Sequence, residues 1–350
     1  MKYNPLVIGN LKAKYPLIQG GMGVGISLSN LAGNVAKEGG IGIISAAHPG
    51  YLEDDFENNT FNANIRALKN HIKKAKEISS GGIIGVNVMV AMKNYQEFIE
   101  ASIEGGADLI ISGAGLPTKL PEYVKGSSVK IIPIVSSAKA ASVLLKYWKN
   151  HYKVTADALI IEGPKAGGHL GFKAENLEDE IENFSKHIIK IIEVVKEYED
   201  YFNKEIPVII AGGIYTADDV KYYLNLGAKG VQCATKFVPT FECDAHLNFK
   251  MQYLNAFKED IKLVTSPVGM PGRAINNSFI KNLKLYEPIK KCYNCLTPCN
   301  PVHTPYCISD ALIQAAKGNI DNGLIFCGSN AYRTDKLLYV KEVINELFPS

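Results

Sequence analysis

Apolar residues in this chain fall in short, nearly unbroken runs rich in β-branched side chains, and between the runs they recur three or four positions apart. The runs lie at Leu17–Gln19, Ile41–Ile44, Ile83–Val88, Leu109–Ser112, Ile131–Val135, Ala158–Ile161, Val208–Ala211 and Gly230–Cys233. A strand covered on both faces has no polar side to show, so such runs predict a parallel sheet packed between helices. Helical spacing fills the gaps at Ser29–Glu38, Ile65–Ile78 and Ala138–Asn150. It is clearest over Ile181–Tyr201, where Ile181, Phe184, Ile188, Ile191, Val195 and Tyr198 share one face. Gly106-Ala107-Asp108-Leu109-Ile110-Ile111 and Gly227-Ala228-Lys229-Gly230-Val231 have one shape. Each closes a helix on Gly-Ala and enters the next strand.

Eight such units predict an α/β fold in which the strands close into a (β/α)₈ barrel over residues 1–258. A C-terminal extension follows over residues 259–350, with a last helix from Asp335 to Leu347. A doubly wound open sheet is the alternative, because Gly20-Gly21-Met22-Gly23-Val24-Gly25 follows the first strand. That fold binds a dinucleotide with an acidic residue at the end of its second strand. Ser45-Ala46-Ala47 stands there instead.

Composition narrows the function. Of 350 residues, 47% are hydrophobic and 21% charged, enough to bury a large core. A net charge of +3, from 38 basic and 35 acidic residues, gives no basic stripe for nucleic acid or an acidic membrane surface. The longest uncharged apolar stretch, Gly81 to Met92, is too short to span a bilayer. Met1 to Asn10 lacks the basic start and apolar run of a secretory signal, so a cytoplasmic location is expected, where thiols stay reduced. Four of the seven cysteines nevertheless crowd into Cys292–Cys307. Crowding of that kind points to ligation more than to disulfides.

In a β/α barrel the loops after the seventh and eighth strands commonly form a phosphate site. Ala211-Gly212-Gly213-Ile214 and Gln232-Cys233-Ala234-Thr235 stand there. Taken alone, Gly212 and Gly213 could equally be a tight turn; small residues in both loops favour a phosphate-bearing ligand. After the sixth strand comes Glu162-Gly163-Pro164-Lys165-Ala166-Gly167-Gly168-His169-Leu170-Gly171. Glycines on either side let the His169 imidazole press against a flat ligand, and histidine can exchange a proton near neutrality. The other histidines, His48, His71, His151, His187, His246 and His303, read as structural.

Gln19-Gly20-Gly21-Met22, Gly85-Val86-Asn87, Ala166-Gly167-Gly168-His169, Ala211-Gly212-Gly213-Ile214 and Gln232-Cys233-Ala234-Thr235 occur in barrel order. Together they resemble the nitronate monooxygenase family, which includes the flavin-containing enoyl-acyl-carrier-protein reductases. The likeness runs from Tyr15 to Phe237, and Gly323-Leu324-Ile325-Phe326-Cys327-Gly328-Ser329 resembles the family's final flavin-side segment. The resemblance implies an FMN-dependent oxidoreductase. Gly21, Met22 and Asn87 would lie along FMN, and Ser136 or Glu162 would reach its polar edge or ribityl chain. Gly167 and Gly168 would face the isoalloxazine, while Ala211, Gly212, Gly213, Gln232, Ala234 and Thr235 would surround the phosphate. His169 matches the catalytic histidine. Two residues depart from the pattern: Lys165 replaces a common acidic residue, and Ala234 a usual glycine.

The spacing Cys292-x₂-Cys295-x₃-Cys299-x₇-Cys307 is a further departure. Four soft thiolates this close suit an iron–sulfur cluster of the 4Fe-4S type or zinc, and unligated thiols are the remaining reading. Two activities compete within the resemblance. One is oxygen-dependent oxidation of alkyl nitronates; the other is NAD(P)H-driven reduction of an enoyl thioester. A non-catalytic barrel that binds a phosphorylated metabolite is the alternative of another class. Oligomeric state has no signature in the residues.

Overall fold

The computed structural model describes residues 3–267, 269–283, 289 and 291–349. Eight parallel strands form its centre: β1 (Leu17–Gln19), β2 (Gly42–Ser45), β3 (Ile84–Asn87), β4 (Leu109–Ser112), β5 (Lys130–Val135), β6 (Leu159–Glu162), β7 (Val208–Ala211) and β8 (Gly230–Cys233). They pair in sequence order from β2 to β8, and β8 returns to β1. The ring is completed by a parallel bridge between Ile18 and Ile41, where the Ile41 amide donates to the Leu17 carbonyl and the Gln19 amide to the Ile41 carbonyl, both at 2.9 Å. All eight strands fall where the apolar runs place them.

Alternation within each run sorts side chains into two layers. Ile18, Ile43, Leu109, Ile111, Ile132, Ile160 and Ile209 form the interior, and Leu6 and Ile8 from an N-terminal hairpin join them. Ile44, Val86, Ile110, Ile161 and Ile210 face outward onto the helices. Those helices are α1 (Ser29–Lys37), α2 (Thr60–Ser79), α3 (Tyr95–Gly105), the single turn α4 (Leu120–Tyr123), α5 (Ala138–Tyr152), α6 (Leu177–Phe202) and α7 (Ala217–Asn225). The predicted stripe of α6 is its buried face, from Phe184 through Ile188, Ile191 and Val195 to Tyr198.

α1 settles the status of the first glycine run. Asp244 places its carboxylate on that helix's N-terminus, accepting from the amides of Leu28 at 2.8 Å, Leu31 at 3.1 Å and Asn30 at 3.1 Å. A helix N-terminus attracts one anion, and here a side chain supplies it. The dinucleotide reading of Gly20 to Gly25 therefore has no helix end left for a pyrophosphate.

After β8 come α8 (Leu247–Leu254), the antiparallel pair β9 (Ile261–Thr265) and β10 (Pro271–Ile275), α9 (Ser278–Lys281), α10 (Ile308–Ala316) and α11 (Val340–Leu347). α11 lies against α1 and α7, the position of an eighth barrel helix. Its Val340, Val343, Ile344 and Leu347 are buried with Leu31, Val35, Val220 and Val231. Each such side chain contributes about 1.5–3 kcal/mol, so α11 is integral to the barrel's packing. The helix begins at Val340, later than the expected Asp335. Leu338 is held extended between Pro239 and Phe241 by backbone hydrogen bonds, and the Glu342 carboxylate then accepts the Tyr339 amide at 2.7 Å to start the first turn.

Candidate active site

The glycine loops gather at the C-terminal ends of the strands. Gly212 and Gly213 leave β7 with φ of +95° and +84°, a conformation in which a side chain is strained. A Cβ on Gly213 would also stand 2.8 Å from the Lys165 Cβ. The amides of Gly212, Gly213, Ala234 and Thr235 find no acceptor among the described residues. Two residues of the late segment brace this cradle: Asn330 Nδ2 donates to the Gly213 carbonyl at 2.7 Å, and the Gly328 amide donates to Thr235 Oγ1 at 3.0 Å. Ser329 Oγ and Gln232 Oε1 are buried without a hydrogen-bond partner.

Across the mouth, Gly168 and His169 form a two-residue strand paired to β10, with His169 opposite Gly272 and Gly168 opposite Arg273. The loop is anchored from two further sides. The buried Arg273 guanidinium donates to the carbonyls of Pro164, at 3.0 Å, and Ala166. Gly167 packs so closely on Cys327 and Gly328 that a Cβ would fall 2.5 Å from the Cys327 carbonyl carbon. His169 stacks obliquely on Phe326, 5.2 Å between ring centres. Its Nε2 is buried and bonded to nothing, and burial holds the imidazole pKa below its ordinary value. At neutral pH it is an unprotonated base.

The remaining candidates line the same opening. A Cβ on Gly21 would meet Asn87 at 2.5 Å, and one on Gly20 would meet Ala234 at 3.2 Å, so the tips of β1, β3 and β8 converge. The Met22 amide donates to Ser27 Oγ at 2.8 Å, which fixes the turn after β1. Ser136 lies beside Gly171, at the far end of the His169 loop. Glu162 ends β6; the residue is half-buried, and burial of its carboxyl pushes the pKa up to about 7.

Arg273, Asn330 and Ser27 were not among the sequence candidates, and Phe326 and Ser329 entered only as part of the segment Gly323 to Ser329. Arg273 did carry a signal, being one of three arginines among 38 basic residues. Such a residue marks a place where lysine's point charge does not substitute for a planar fork.

The cysteine expectation needs correcting. Among the described residues no group of three or more His, Cys, Asp or Glu is arranged to hold a metal ion, so neither the zinc nor the iron–sulfur reading is supported by such a group. All seven thiols are free. The four late cysteines do share a place, because Cys292, Cys295, Cys299 and Cys307 line one cavity. Their loop lies along the segment after β3. The Lys93 amide donates to the Cys295 carbonyl at 3.0 Å, and the Thr297 amide to the Ala91 carbonyl at 2.8 Å.

Comparison with known proteins identifies the family and the fold. The family model for nitronate monooxygenase matches residues 4–350. A probable nitronate monooxygenase of Staphylococcus aureus (strain Newman) is 27% identical over 305 residues, 79% of each chain. FabK from Thermotoga maritima has the same fold, with a TM-score of 0.72, 24% identity, and 96% of this chain and 92% of that one covered. Nitroalkane oxidase from Streptomyces ansochromogenes gives 0.71 and 18%, with 96% and 95% covered. Among the described residues no helix is long and apolar enough to cross a membrane.

Proposed function

The chain belongs to the nitronate monooxygenase family of FMN-dependent oxidoreductases, and from that premise we propose that it oxidises alkyl nitronates with oxygen, His169 being its proton-handling group. The observation that carries the reading is the unpartnered, buried Nε2 of His169 on a loop anchored by Arg273. Membership in an enzyme family sets aside the non-catalytic metabolite-binding barrel.

The residues fit FMN. Four unengaged amides at Gly212, Gly213, Ala234 and Thr235 suit a phosphate. The orphaned Gln232 Oε1 and Ser329 Oγ suit nearby polar ligand atoms, because buried polar groups are normally satisfied. Gly21, Met22 and Asn87 would lie along FMN, Gly167 and Gly168 would face its ring, and Ser136 or Glu162 would reach the polar edge or ribityl chain. FMN, when bound, supplies the electron chemistry.

The chain's own contribution is position and charge. Neutral His169 accepts the α-proton of a nitroalkane at Nε2, or donates from the same atom to a nitronate oxygen in the other tautomer. Backbone pairing with Gly272 fixes its main chain, and contact with Phe326 orients its ring. Lys165, exposed at the loop where acidic residues are common in the family, adds a positive charge that favours an anionic substrate.

The test is oxygen consumption by the FMN-loaded protein with a nitronate, set beside NADH- and NADPH-driven reduction of an enoyl thioester. Nitronate-dependent uptake that collapses in His169→Ala supports the proposal. Enoyl reduction without nitronate oxidation would overturn it in favour of the reductase activity.

A further inference from the structure

We propose that the four late cysteines hold a cubane cluster of four irons and four sulfides. Cys292, Cys295, Cys299 and Cys307 line a cavity of about 100 Å³, together with Lys93, Tyr293, Leu296, Pro301 and Ile308. Its size decides between occupants. A single zinc draws four sulfurs to ~2.3 Å from one point, and among the described residues no such gathering exists. On the same measure one water needs only ~10–15 Å³, so this cavity is several times larger than a single-ion site requires. In a four-iron cubane each thiolate binds a different iron, which sets the four sulfurs at the corners of a wider tetrahedron. Four thiols around one larger cavity match that arrangement.

The surroundings suit anionic sulfur. The Asn294 amide donates to Cys292 Sγ at 3.3 Å. Hydrogen bonds to the sulfurs are among the features that tune such clusters. Cys307 immediately precedes α10, so its sulfur stands at the positive end of that helix. Lys93 brings a cation to the wall, and Leu296 and Ile308 shield one side from water. The loop is seated rather than loose. Leu296 bridges Met92, and Tyr293 stacks on Phe56 with 5.6 Å between ring centres. It adjoins the segment that leaves β3 directly after Asn87, on the rim of the flavin mouth. The inference does not depend on which substrate the flavin site takes.

The experiment is iron and acid-labile sulfide analysis of the full-length protein purified without oxygen, with electron paramagnetic resonance after dithionite reduction. Four irons and four sulfides per chain are expected, with a reduced-cluster signal separate from that of flavin. The double variant Cys295→Ser, Cys299→Ser should lose iron by ~10-fold or more while keeping its FMN. One zinc per chain, two irons, or no metal with all seven thiols titrating would each overturn the proposal. The wild-type analysis decides the matter even if the variant fails to fold.

Discussion

The Arg273 guanidinium donates to the carbonyl oxygen of Pro164 at 3.0 Å, and so ties the extension to the turn that presents His169. Its other donor contact is the Ala166 carbonyl. A buried cation on two backbone oxygens serves geometry, because a misplacement of about 1 Å in a reacting group can cost ~10²-fold in rate.

Arg273→Leu should therefore slow turnover by ~10²-fold and lower unfolding free energy by about 2–3 kcal/mol, the scale of a lost charge-assisted hydrogen bond. Arg273→Lys should not restore the rate, since an ammonium cannot reproduce the planar fork. Steady-state kinetics and urea unfolding of the two variants check this. Full rescue by lysine would show that only charge matters.

His169→Ala should retain flavin and lose ~10²–10⁴-fold in turnover. The pH profile carries the sign. Burial lowers the imidazole pKa, so the base form persists through neutrality, and wild-type activity on a neutral nitroalkane falls only below the ordinary histidine range. An acid limb lying above that range would contradict the assignment.

Gly213→Val should abolish FMN retention. The valine must adopt φ near +84° and place its Cβ against Lys165, beside the amides assigned to the phosphate. Flavin absorbance after desalting measures occupancy, and circular dichroism shows whether the barrel has survived. A folded variant with full occupancy would relocate the phosphate site.

Glu162 gives a second pH test. Its folded pKa is raised to about 7 from an ordinary 4.5 by burial. A raised folded value means its contribution to stability is complete below pH 4.5 and is lost as pH rises through about 7. In flavin-free protein, Glu162→Gln should flatten that part of the stability curve. Thermal unfolding across the window checks it, and parallel curves for the two proteins would remove the carboxyl from the account.

Strands and glycine loops were legible because their causes are local. Two-sided burial writes itself as apolar runs, and bare amides need glycine at the strand tips. The braces were not legible. Arg273 meets the His169 loop across 109 residues from Pro164, and the pairing of Gly272 with His169 joins segments with no shared pattern. α11 starts later than the spacing predicts for a related reason: the residues before Val340 are drawn into an extended contact with Pro239 and Phe241. The cysteine spacing showed that four thiols belong together. It did not show how far apart they stand, because closure depends on the loop's seat against Ala91 and Lys93.

The place of α11 between α1 and α7 bears on how the molecule is made. β8 ends at Cys233, while the helix that covers Leu31, Val35 and Val220 begins at Val340. During synthesis on the ribosome the eight strands can emerge with that apolar seam still open to water. Until the last turn arrives, the nascent chain carries a sticky groove beside its first helix, where chaperones or neighbouring chains can bind. The ring is thus sealed in order of translation, by α11 meeting α1, and a ribosome that stalls anywhere between the two leaves the seam unsealed.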